Sequence, residues 1–256
     1  SDLIRLRSAV GMHMSEASAV RFYFSFRSPF AAIAFYRLRR SPLFKDVKFE
    51  LIPLWPENIF GGHMDNPTDN LFKLSYVFND AARQAEEAGL HTELLKTFAK
   101  NLAIPQDLDF SAEKAGLKMP AENWPLTHHA FLYAKDQDKG WVFADAVFNA
   151  RFGFDGAAAK NVLDRDVLRE IAESLEIDSD EMLASCDSGA YQDDMVTIAK
   201  LSEADGVFGV PFFVFESGQA KHVFWGNDRI ETLYKVVSGS NTLSLFTADD
   251  LGVVQR

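Results

Sequence analysis

The chain contains one cysteine, Cys186, in 256 residues. A single sulfur can close no intramolecular disulfide and form no CxxC pair. Dithiol exchange by the chain's own residues is therefore excluded, as is a disulfide-stapled secreted scaffold, and a reducing cytosol is the expected setting. Positive charge is also scarce. Lys and Arg number 26 against 37 Asp and Glu, a net charge of −11, and Arg37, Arg39 and Arg40 form the one short basic cluster. Such a surface repels a phosphate backbone, so nucleic acid is not an expected partner. No apolar run approaches the roughly 20 residues of a membrane-spanning helix, so no membrane partner is expected. Histidine is sparse, and adjacent His128 and His129 would point about 100° apart on a helix with no further His or Cys three or four residues away. No metal site is expected. What the chain has in excess is phenylalanine: 23 Phe outnumber the four Trp and six Tyr together, which points to a core or cleft rich in flat rings that make no hydrogen bonds.

Residues 1–19 are set aside as an N-terminal extension, with Gly11 to Met14 read as a cloning remnant or a late start. Val20 to Phe26, VRFYFSF, is β-branched and aromatic and reads as a strand. Ser28 then suits a helix N-cap and Pro29 the first helical position, opening a helix to about Arg40. Alternation over Val47 to Pro53 predicts a second strand. From Leu54 to about Asp205 the periods are helical, with Asp178 to Glu181 a capping signal, and Cys186 falls in an apolar helical pattern as a small buried hydrophobe. Strand signals return at Pro211 to Phe215 and His222 to Trp225 around a Ser217-Gly218 turn, before a last helix from Asn227 to about Val237. This βαβ, helical insertion, ββα order predicts an α/β, thioredoxin-like sheet, with 20–54 and 206–238 forming the sheet domain, 55–205 an all-helical insertion and 239–256 a tail. A ligand cleft is expected where insertion and sheet meet.

Three segments could carry chemistry. In a thioredoxin-type fold the corner Phe26-Arg27-Ser28-Pro29-Phe30 would hold a redox cysteine pair; here Ser28 stands at the helix N-terminus instead. Its hydroxyl can donate to a thiolate brought by a ligand, although on local sequence alone a plain helix cap suffices. In Gly206 to Val214, GVFGVPFFV, Pro211 begins a strand either as an ordinary edge proline or as a cis proline whose preceding residue, Val210, turns its backbone groups toward an extended ligand. In Phe224 to Ile230, FWGNDRI, helix N-terminal amides can hold a carboxylate and Asp228 an ammonium group, or the turn is only a cap.

Taken together, the SP corner, SYVFNDAARQAEEAGL, GVFGVP and FWGNDRIETL resemble the 2-hydroxychromene-2-carboxylate isomerases, relatives of kappa-class glutathione transferases within the DsbA-like group. The resemblance covers about Val20 to Val237. It implies glutathione as cofactor, with Ser28 activating its sulfur, Val210 beside cis-Pro211 pairing with its cysteinyl backbone, and Asn227 and Asp228 holding its γ-glutamyl end. It also implies a homodimer and a small aromatic or conjugated substrate, isomerised through reversible thiolate addition. A kappa-like transferase and a non-catalytic thiol- or peptide-binding protein are the alternatives. On the substrate side the chain departs from the pattern: Gly61 stands at the expected lysine and Thr127-His128 at an expected Asn-Thr pair. Phe30, Asn58, Phe60, His63, Trp124 and His128 are the candidate pocket residues, and Phe24, Phe26, Phe208, Phe212 and Phe213 are expected to gather around the same cleft.

Overall fold

A computed structural model of the chain describes residues 19–54, 71–101 and 126–239. Strand β1 (Val20–Phe24) is followed by α1 (Pro29–Arg40), a 3-10 turn at Pro42–Phe44 and β2 (Phe49–Pro53). Helices α2 (Leu71–Glu87), α3 (Glu93–Asn101), α4 (Leu126–Asp136), α5 (Gly140–Phe152), α6 (Arg165–Ser174), α7 (Ser179–Asp187) and α8 (Gln192–Ala204) come next. Then β3 (Phe212–Ser217), β4 (Ala220–Trp225), a 3-10 turn at Asn227–Arg229 and α9 (Ile230–Val237) complete the described chain. The expected α/β arrangement is present, with only helices among the described residues between β2 and β3.

The sheet runs β2-β1-β3-β4. β1 pairs parallel with β2, Phe22 opposite Leu51, and antiparallel with β3, Phe22 opposite Phe213; β3 and β4 form an antiparallel hairpin with Phe212 opposite Trp225. All five residues of β1 are buried, as suits a central strand covered on both faces. On one face Phe22 stacks on Phe213 at 4.9 Å, and Phe24 meets Phe131 of α4 and Phe148 of α5 edge-on. On the other, Arg21 and Tyr23 both reach Asp205 at the end of α8.

Several boundaries differ from the sequence expectation: β2 begins at Phe49 rather than Val47, β3 runs Phe212–Ser217 rather than Pro211 to Phe215, and β4 begins at Ala220 rather than His222. β1 stops at Phe24 rather than Phe26, because the Ser25 carbonyl accepts from the Ser28 amide at 3.0 Å and the Ser25 hydroxyl from the Arg27 amide at 3.3 Å, turning the chain toward α1. The closing helix begins at Ile230, with Asn227–Arg229 a 3-10 turn. The phenylalanines also need correcting. Phe24, Phe26, Phe212 and Phe213 are core, each 2% exposed or less, whereas Phe208 is 48% exposed.

Candidate active site

The strand pairing brings the three candidate segments together. β1 and β3 are antiparallel, so the chain leaving β1 toward Ser28 and the chain entering β3 from Val210 and Pro211 lie at the same end of the sheet. β4 ends beside the start of β3, which places Gly226, Asn227 and Asp228 at that end as well.

Ser28 is half-buried and caps α1, its Oγ accepting from the Ala31 amide at 3.1 Å with Pro29 at the first helical position. The hydroxyl proton has no acceptor among the described residues, so it is available to a ligand. The first turn of α1 carries no acidic residue, which leaves the positive end of the helix dipole uncompensated on its own helix. A hydroxyl donor on a positive helix end favours an anion, a thiolate being one that it can stabilise.

The Val210–Pro211 peptide is cis, and neither backbone group of Val210 bonds to backbone among the described residues. The Pro211 carbonyl accepts from the Gly226 amide at 3.0 Å, tying this segment to the third one. Packing above it is tight: a Cβ on Gly209 would sit 2.8 Å from Trp225 Nε1, and the Phe208 ring meets Trp225 at 5.0 Å and Phe212 at 5.4 Å.

Asn227 and Asp228 differ sharply. Asn227 is 2% exposed; its Nδ2 donates to Gln84 Oε1 at 2.7 Å, and Arg37 Nη1 donates to its backbone carbonyl at 2.6 Å and to Oδ1 at 3.2 Å. Its side chain fastens the turn to α2 and α1. The Asp228 carboxylate is exposed and among the described residues pairs only with neighbouring Arg229, at 3.3 Å. Gly226, at φ +102°, lets that carboxylate lean back over the turn, where a Cβ would collide with Oδ1.

Of the pocket candidates, Phe30 is half-buried on the first turn of α1, packed against the core. His128 is buried on α4, its ring edge-on to Phe26 at 5.4 Å. Burial first, then the charges of His129 and Arg27, push it down to about 3, so it is a neutral imidazole at any physiological pH. Asn58, Phe60, His63 and Trp124 lie outside the described residues, as does Gly61. Cys186 is buried, and burial followed by the Asp187 charge pushes its thiol up to about 12, which removes it as a nucleophile near neutrality.

Sequence reasoning missed Arg37 and Gln84, which hold Asn227, and Arg151 of α5, which is 4% exposed. Burial and the nearby Arg27 charge push Arg151 down to about 9. The basic last turn of α1 was the one available signal for Arg37; nothing local marks Gln84 or Arg151.

A four-stranded mixed sheet with a helical insertion, a capped Ser-Pro corner and a cis proline at the same end of the sheet defines a thioredoxin-type domain of the DsbA kind. The DSBA-like thioredoxin domain model matches residues 19–238, and the chain belongs to that family. Among individual proteins it is similar to 2-hydroxychromene-2-carboxylate isomerase of Sphingobium xenophagum, with 30% identity over 104 residues, 41% of this chain and 49% of the isomerase. The match thus spans about half of that relative's length. A solved 2-hydroxychromene-2-carboxylate isomerase superposes with a TM-score of 0.65 at 22% identity, covering 87% of this chain and 95% of the other. The cytosolic disulfide reductase DsbM from Pseudomonas aeruginosa, in a structure with GSH, gives 0.54 at 14% identity, covering 87% and 98%. The expected resemblance to the isomerases and the DsbA-like proteins is met, and at these identities the solved structures establish the fold.

Proposed function

We propose that the protein is a glutathione-dependent isomerase acting on an aromatic or conjugated substrate. The observation that carries the reading is the Ser28 hydroxyl, which caps α1 through its oxygen while its proton stays available at a helix end without acidic residues. The other groups suit the rest of the tripeptide. In this reading the Val210 amide and carbonyl would pair with the cysteinyl backbone, the turn after Gly226 with the γ-glutamyl carboxylate, and the exposed Asp228 carboxylate with its ammonium group. Asn227 serves by holding that turn in place. Bound there, glutathione would supply a nucleophilic thiolate able to add reversibly to a conjugated substrate and be released unchanged, the chemistry an isomerisation needs. Ser28 lowers the thiol pKa by donating to the ionised form and α1 adds its positive end; both favour departure of the same thiolate.

The alternative of a kappa-like transferase uses the same activated thiolate but releases the adduct, so a stable thioether product with consumption of glutathione would identify it. A non-catalytic binder would hold an extended thiol or peptide with unchanged affinity after Ser28→Ala. A homodimer in the cytosol belongs to the same proposal, and the mass in solution tests the first of these. Calorimetry decides the central point: glutathione binds the wild type at millimolar concentration or below, and Ser28→Ala raises the bound thiol's pKa toward the free value of about 8.5. Absence of binding by the wild type would sink the proposal.

A further inference from the structure

A cavity of about 700 Å3 opens between the end of α1, the 3-10 turn that follows it, the start of β2 and α5. None of the residues assigned to glutathione lines it. The volume lies within the range of about 300–1,000 Å3 common to small-molecule sites. Its floor is apolar and largely aromatic, made by Leu38, Phe44, Val47, Phe49 and Trp141. The Phe44 and Phe49 rings meet edge-on at 5.6 Å, as do Phe49 and Trp141 at 6.3 Å, and Phe49 and Trp141 remain half-buried. β2 is an edge strand, so this floor continues to the margin of the sheet.

The rim has the opposite character from the rest of the surface. Arg39, Arg40, Lys45 and Lys48 line the cavity and no acidic residue among the described residues does, in a chain whose net charge is −11. Arg39 is engaged by Asp145 at 2.5 Å. Arg40 lies over the Tyr36 ring at 5.2 Å, with its Nη1 3.5 Å from the Gly89 carbonyl, and the pairing of Lys45 with Asp46 is loose and exposed at 3.9 Å. Compensation of the negative end of α1 explains Arg39 and Arg40 but not Lys45, which lies beyond the helix.

We propose that this cavity is a second binding site, for a small flat aromatic anion of the aryl-carboxylate class, its ring on the Phe49 and Trp141 floor and its carboxylate toward Arg40 and Lys45. Aromatic rings supply the area and orientation, and the rim cations the sign of the charge. The site stands whether or not Ser28 activates glutathione.

The test is titration with 1-naphthoate, followed by tryptophan fluorescence and calorimetry. Saturable 1:1 binding is expected, with a fluorescence change that disappears in Trp141→Phe. Arg40→Gln and Lys45→Gln each weaken binding by about two- to fivefold, and added salt weakens it further. The neutral isostere 1-naphthylmethanol binds about tenfold more weakly. Ser28→Ala and saturating glutathione leave the affinity unchanged, which separates this cavity from the Ser28 end of the sheet. The proposal is overturned by absence of saturation at millimolar naphthoate, by equal affinity for the neutral alcohol, by a fluorescence change that survives in Trp141→Phe, or by competition from glutathione.

Discussion

Asp205 offers the sharpest test of how the end of α8 is fastened to the sheet. It ends α8 and begins the segment that leads to Val210 and Pro211, and its side chain is only 4% exposed. Arg21 donates to it from Nε at 2.7 Å and from Nη2 at 2.9 Å, and Tyr23 donates its hydroxyl at 2.7 Å. Lys221 Nζ is a fourth partner at 2.8 Å. Asp205→Asn keeps the volume and removes the charge. Lys221, 37% exposed, can turn to water and loses at most about 1 kcal/mol. Arg21 cannot, being 10% exposed, but it keeps Glu216 at 2.7 Å. Breaking a buried pair from one side costs about 3–5 kcal/mol, so the remaining partner sets the expectation at the lower end, about 3 kcal/mol. For a domain of this size that is a Tm lower by roughly 6–12 °C. Burial alone would raise the Asp205 pKa, but hydrogen bonds from Arg21, Lys221 and Tyr23 outweigh it and hold the carboxyl below its usual value. A depressed carboxylate stabilises the fold above its unfolded pKa of about 3.9, and that stability is lost as pH falls through the folded value. Urea unfolding across pH should therefore show a shallower acid limb in Asp205→Asn. The double variant Arg21→Met, Asp205→Leu should recover part of the loss, because both desolvated charges go together while the buried Tyr23 hydroxyl is left without its acceptor. A loss below about 1 kcal/mol in Asp205→Asn, or no recovery in the double variant, would refute the argument.

Three other outcomes follow from the same geometry. Ser28→Ala loses both the cap, about 1 kcal/mol of stability, and the donor to the thiolate, whereas Ser28→Asp keeps the cap and opposes the thiolate by its charge; ultraviolet titration of bound glutathione and urea unfolding would separate the two effects, and equal thiol pKa values in both variants and the wild type would remove Ser28 from the chemistry. Asn227→Ala deprives Gln84 and Arg37 of a buried partner and should cost about 1–3 kcal/mol of stability as well as glutathione affinity, while Asp228→Asn should lower affinity alone, as calorimetry paired with denaturation would show. Cys186, with its thiol pushed up to about 12, should react with a thiol reagent at pH 8 only on unfolding, and reaction at the rate of a free thiol would contradict its buried setting.

The parts of the fold that could be read in advance are those whose causes are local. Val20 to Phe24 is a strand because its residues are β-branched or aromatic. Ser28 caps α1 because a hydroxyl sits one residue before a proline, and Asp178 caps α7 by accepting from the Glu181 amide at 2.9 Å. The order of these elements was enough to predict the sheet and its insertion. The phenylalanines were misplaced for a related reason: β1 is covered on both faces, so a pattern that tells a wet face from a dry one has nothing to separate, and nearness to Ser28 in sequence did not mean nearness to a cleft.

What escaped the sequence is which partner each polar group chooses. Asn227 meets Gln84 across 143 positions and Arg37 across 190, and Arg21 meets Asp205 across 184. No periodicity records such pairs, since each depends on how separate elements are stacked once the sheet has formed. They nevertheless change the chemistry assigned to the turn. Read alone, Gly226-Asn227-Asp228 offers two polar side chains to a γ-glutamyl group. With the Asn227 amide committed to α1 and α2, a ligand at this turn meets backbone amides and one carboxylate. In the proposed glutathione site Asp228 would then carry the ammonium recognition by itself, and Asn227 would act by keeping that carboxylate and the Val210 backbone on one rigid end of the sheet.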